Sequence, residues 1–191
     1  MPAADTPEAP VPSRRIMSMR MMLFIGVVVL AADHLTKWLA IEYLQAGPVT
    51  VIPGLLNFAF AVNTGGAFSL MADRPMLLTS LASVAFLLIV LLAWSTPADE
   101  LMMRLGFALM LGGAVGNLID RYFRGGVIDF IDAHWGPYHW PTFNIADSAI
   151  CIAAGLIIIR SLMPDGPTRP AYAGLPANSQ SDAQNSSADC P

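Results

Sequence analysis

The sequence predicts an all-α membrane protein: four transmembrane helices, a small extracytoplasmic β platform, and both termini in the cytoplasm. Three observations carry that expectation. Of 191 residues, 55% are hydrophobic and only 13% charged, about half the charge usual in a soluble domain. The apolar residues come in four blocks, each near the ~20 residues a helix needs to cross a bilayer. The basic residues lean towards one side, with Arg14, Arg15 and Arg20 ahead of the first block, and the positive-inside rule puts that side in the cytoplasm.

The spans follow in order. Span one covers about 20–42: MMLFIGVVVLAA is interrupted by Asp33, His34 and Lys37, then the helical pattern resumes in LTKWLAIEYL. A basic start and a Leu-Ala-Ala step also suit a cleaved signal peptide, but the continuing pattern favours an uncleaved span. Span two, 76–94, carries no charge. Span three, 102–120, has Gly106, Gly112, Gly113 and Gly116, small residues that let helices approach closely in lipid. Span four covers 146–163. The short polar link 95–101 makes spans two and three antiparallel neighbours. Residues 1–15 and 164–191, rich in Pro, Ala and small polar residues, are expected to be disordered tails around a membrane domain at 16–163.

With four spans and cytoplasmic termini, the polar residues converge. Asp33 and Lys37 near the end of span one, Asn117, Asp120 and Arg121 at the end of span three, and Asn144 and Asp147 at the start of span four all reach the outer surface. So does Asp129 in the last loop. Ionisable groups at membrane depth are costly and usually functional. In the first outer loop, Phe58, Phe60 and Val62 alternate with Ala59, Ala61 and Asn63 before Asn-Thr-Gly-Gly, a strand and then a turn. In the second, Trp135, Tyr138 and Trp140 suit the water–lipid boundary.

Several of these residues have plain structural accounts. Asp33 and Lys37, four apart on a helix, can form an ion pair. Asn117, Asp120 and Arg121 share one helix face, and Asp120 can pair with Arg121. Asn63 suits a turn. Asp147 lies in the first turn of span four behind the potential cap Asn144, where the helix dipole favours an acid. Asp129 is harder to explain, because it stands in GGVIDFID between Ile and Phe. Two carboxylates brought together share a proton, since like charges and low dielectric oppose double ionisation. Such a pair can activate water and protonate a leaving amine.

Other machinery is missing. There is no G-x-S-x-G, no H-E-x-x-H and no phosphate-binding glycine loop. No basic patch suggests nucleic acid. Cys151 in an apolar run reads as packing, Cys190 as a tail residue, and neither fits a disulfide framework. The histidines lack ligand-like spacing, so neither metal nor cofactor is expected. A membrane peptidase, a small ion-binding transporter and a non-catalytic scaffold all stay open on the residues alone. The clustering of acids at one face favours the first.

Five blocks in order resemble lipoprotein signal peptidase, the type II signal peptidase of bacteria. They are Asp33-His-Leu-Thr-Lys37, Asn63-Thr-Gly-Gly-Ala-Phe68, Gly112-Gly-Ala-Val-Gly-Asn-Leu-Ile-Asp-Arg121, Gly126-Val-Ile-Asp-Phe130 and Phe143-Asn-Ile-Ala-Asp147. The resemblance covers about 20–162. It implies an aspartyl peptidase of the cytoplasmic membrane with Asp129 and Asp147 as the catalytic pair. Asn63, Gly65, Asn117, Asp120, Arg121 and Asn144 are implied to support the site or hold substrate, with Asp33 and Lys37 structural or positioning. The implied substrate is a prolipoprotein, cut before its diacylglyceryl-modified cysteine. Membrane lipids and globomycin-type inhibitors are the implied partners, and a monomer is expected. His34, Gly66 and Ser69 depart from the family's usual Gln, Ala and Gly, which puts local loop geometry in doubt.

Overall fold

The computed structural model describes residues 16–65 and 74–164. The tail residues 1–15 and 165–191, with Gly66 and Ser69, lie outside the described residues. Eight elements run in the order α1 (Met19–Tyr43), β1 (Val49–Ile52), β2 (Leu56–Asn63), α2 (Pro75–Ser95), α3 (Leu101–Arg124), β3 (Val127–Trp135), β4 (Tyr138–His139) and α4 (Ile145–Leu162). All four helices are long and apolar enough to cross a membrane.

The helix ends follow from local chemistry. Ser18 caps α1 by accepting from the Met21 N–H, and Pro75 opens α2, where its missing donor costs nothing. α1 continues unbroken through Asp33 and Lys37 because both charges are satisfied inside the bundle. α3 runs to Arg124, one turn beyond the expected 120, before Gly125 closes it in the left-handed conformation at φ 73°.

α3 is the axis of the bundle and touches each of the other three helices. Its glycines explain this. A Cβ on Gly113 would stand 2.6 Å from the Ala146 carbonyl oxygen of α4, and one on Gly112 equally close to that of Gly26 in α1. Without side chains there, the backbones meet. α2 is peripheral: Ala93 is its one buried residue, and its apolar surface faces outward, as a lipid solvent allows.

The strands form one antiparallel sheet in the order β1-β2-β3-β4. The expected strand over 58–63 is present as part of β2. The segment read as an aromatic loop turns out to hold two more strands. β3 pairs with β2 so that Ala61 faces Asp129 and Asn63 faces Val127. The Phe58 and Phe130 rings meet edge-on, with centroids 6.1 Å apart. The sheet sits where α1 and α3 end and where α4 begins, so β3 delivers Asp129 to the helix ends.

Candidate active site

The site is built where α1, α3, α4 and the β2–β3 pair meet. Asn144 is its junction. This residue is fully buried and caps α4 in a reciprocal box: its Oδ1 accepts from the Asp147 N–H at 2.9 Å, and its own N–H donates to Asp147 Oδ2 at 3.3 Å. Its side-chain amide meanwhile donates to Asp129 Oδ1 at 2.7 Å. The helix-start role of Asp147 is therefore real, and it holds the carboxylate beside a second acid.

Asp129 is 1% exposed. Its other oxygen accepts from Asn63 Nδ2 at 2.9 Å, a diagonal contact set by the β2–β3 register. Asn63 Oδ1 accepts from the Gly65 N–H at 3.2 Å, so Asn63 makes the turn and reaches the acid together. Burial pushes the Asp129 carboxyl up to about 6, aided by the nearby Asp147 and opposed by the Asn63 and Asn144 amides. The second Asp147 oxygen accepts from Asn117 Nδ2 at 2.7 Å. Both acids are thus held by amide donors. Among the described residues, neither has a salt bridge.

Behind this pair lies an ionic cluster. Lys37 Nζ sits 2.7 Å from Asp33 Oδ2 and 2.7 Å from Asp120 Oδ2. It also donates to Asn117 Oδ1 at 3.0 Å. Asp33 Oδ1 accepts from the Ala146 N–H at 3.0 Å, pinning the start of α4. Gly116 makes room, since a Cβ there would fall 2.5 Å from Asp33 Oδ2. Asp120 also pairs with Arg124, and its Oδ2 accepts from the Ile128 N–H at 3.3 Å.

Two sequence expectations need correction. Asp120 pairs with Arg124 and Lys37, not with Arg121. Adjacent residues on a helix point about 100° apart, whereas i and i+4 share a face. Arg121 instead faces the cleft, donates to the Asn117 carbonyl at 3.4 Å and leaves its buried Nε without a protein partner. Cys151 is not packing; it is exposed, one turn beyond Asp147, and lines the same cleft. Its spacing of four from Asp147 was the available signal.

That cleft encloses about 470 Å³ and is lined by Asn63, Arg121, Phe143, Asp147, Ser148 and Cys151, among others. A mostly apolar wall with a few convergent polar groups suits a lipid-bearing or peptide ligand. His34 Nδ1 lies 3.2 Å from the Leu30 carbonyl and 3.9 Å from Asp33 Oδ2. Asp132, three residues beyond Asp129 on β3, contrasts with it. Burial pushes its carboxyl up, but hydrogen bonds from His139 and Asn57 outweigh that and hold it below its ordinary value. Among the described residues, no three His, Cys, Asp or Glu side chains gather as a metal ion needs.

The family model described as signal peptidase (SPase) II matches residues 25–163. A lipoprotein signal peptidase of Polynucleobacter necessarius is 42% identical over 74% of this chain and 89% of its own length. One of Syntrophotalea carbinolica is 37% identical over 76% of this chain and 92% of its own. Among solved structures, a bacterial membrane enzyme determined by the in meso method at 2.3 Å superposes with a TM-score of 0.71. It is 29% identical over 78% of this chain and 92% of that one.

Proposed function

The chain belongs to the signal peptidase II family, a family of membrane peptidases, and from that premise we propose that it is an aspartyl endopeptidase. It removes the signal peptide from bacterial prolipoproteins, cutting before the diacylglyceryl-modified cysteine. Asp129 and Asp147 are the catalytic pair. The observation that carries this reading is that two acids from different elements share the Asn144 junction and have amide donors but no salt-bridge partner.

The chemistry follows from that arrangement. With one proton between them, one carboxylate takes a proton from water as the water attacks the scissile carbonyl. The other carboxyl gives its proton to the departing amine of the cysteine. Arg121, which lines the cleft, offers its guanidinium towards the substrate backbone or the developing oxyanion. The diacylglyceryl chains stay in the bilayer against the apolar cleft wall, so the scissile bond reaches the acids at a reduced entropic cost.

In this reading the peptidase unit spans 16–163 and is a monomer in the bacterial cytoplasmic membrane. Both termini are cytoplasmic, and the sheet and the acids lie at the extracytoplasmic surface. Globomycin-type inhibitors occupy the cleft. Arg20, Arg104 and Arg160 at the end opposite the sheet support this orientation.

The test is cleavage of a lipidated prolipoprotein by purified protein in detergent, with a chelator present. Wild type is expected to cut, and Asp129→Asn and Asp147→Asn to fail while still folded. Normal cutting by either variant removes that residue from the catalytic pair.

A further inference from the structure

Lys37 is 1% exposed, the most deeply buried cation among the described residues. Its charge is neutralised by Asp33 and Asp120, each with an oxygen 2.7 Å away. Its hydrogen bond goes to a neutral group, Asn117 Oδ1, at 3.0 Å. A purely structural ion pair has no need of that contact.

The Asn117 amide stands between two kinds of neighbour. Its oxygen accepts from Lys37 and from Asn144 Nδ2 at 3.2 Å. Its nitrogen donates to Asp147 Oδ1 at 2.7 Å. Turned over, it would set NH2 against an ammonium and another NH2, and oxygen against a carboxylate. That would forfeit both charge-assisted bonds and leave buried donors unpaired.

We infer that Lys37 is a positioning residue for Asp147: by donating to Asn117 Oδ1 it fixes the one amide orientation that donates to the Asp147 carboxylate. The inference rests on the reading of Asp147 as catalytic. The other charged groups facing this relay are Asp33 on α1, Asp120, Arg121 and Arg124 on α3, and Asp129 on β3.

Lys37→Met alone leaves buried Asp33 without a cation while Asp120 keeps Arg124, so the test uses the charge-balanced Asp33→Asn/Lys37→Met, with Asp33→Asn as its reference. An asparagine at 33 can still accept the Ala146 N–H. The full chain in detergent is assayed on a lipidated prolipoprotein, in that variant, in Asn117→Leu and in their combination. The charge-balanced variant should lose about 10- to 100-fold in kcat relative to Asp33→Asn. Its KM should stay within about twofold, and the combination should be no slower than Asn117→Leu alone.

An unchanged kcat, or losses that multiply in the combination, overturns the relay. If the charge-balanced variant does not fold, Asn117→Asp replaces it. That change keeps an acceptor for Lys37 but turns an oxygen to Asp147, so kcat should fall with KM kept, and an unchanged kcat overturns the inference. Full activity of Asp147→Asn would instead sink the aspartyl reading itself, a separate result from wild-type cleavage with an inert relay.

Discussion

Two groups of acids lie at the sheet end of the bundle, linked through Asn117. Asp33 and Asp120 are fully buried and held by Lys37 and Arg124. Asp129 and Asp147 are held by the amides of Asn63, Asn117 and Asn144. The first group has fixed counter-charges in Lys37 and Arg124. The second has donors that favour a carboxylate without neutralising it, and Asp147 opposes ionisation of Asp129. Burial alone does not separate the two groups; the kind of partner does.

The largest effect should come from the amide-held pair. Asp129→Asn or Asp147→Asn is expected to lower kcat by about 10⁴-fold or more, measured on a lipidated prolipoprotein, with the unfolding midpoint little changed. If either variant keeps measurable turnover near wild type, the contrast between the two groups carries no functional meaning.

The cation-held group should answer first in stability. Lys37→Met leaves Asp33 and Asp120 facing each other without their shared ammonium. Breaking one side of a buried ion pair costs about 3–5 kcal/mol. Thermal unfolding in detergent, or loss of folded protein on expression, reads this out. A Lys37→Met variant as stable as wild type would mean that water already reaches the cluster.

Much of this division was legible in the sequence, and the missing parts have physical reasons. The four spans follow from apolar runs, since lipid imposes a length and little else. The Asp33–Lys37 pair follows from helical spacing. The strand that carries Asp129 did not, because VIDFIDAHW is apolar at odd and even positions alike and shows no clean alternation. Buried on both faces over Val127–Phe130, it needs no alternation. Proximity in sequence suggests Arg121 as the partner of Asp120, yet one more turn of helix brings Arg124 to the same face. The central place of Asn144 depends on contacts with two distant elements, α3 and β3, which no local pattern encodes.

The pair should also respond to pH. The Asp129 carboxyl is held up at about 6, so the pair keeps its shared proton well above the usual carboxylate range. A raised value means the proton is lost only as pH rises through it. kcat/KM is therefore expected to fall on the alkaline side from about 6, approaching tenfold per unit. A profile flat from pH 5 to 9 would show that no shared proton limits turnover.

The smallest effect sharpens the comparison from the opposite end of the bundle. There Arg160 meets Glu100 through two hydrogen bonds of 2.7 Å, from Nε and from the terminal nitrogen. This pair has better fork geometry than any contact of Lys37, but both side chains are about a fifth exposed. Water and salt then screen it, and such pairs contribute about 1 kcal/mol or less. Glu100→Gln should shift the unfolding midpoint slightly, more at low salt than at high, and leave cleavage unchanged. If it destabilised as strongly as Lys37→Met, geometry rather than burial would govern the ion pairs of this protein. The severity assigned to the buried cluster would then need another cause, such as the Ala146 anchor that Asp33 supplies to α4.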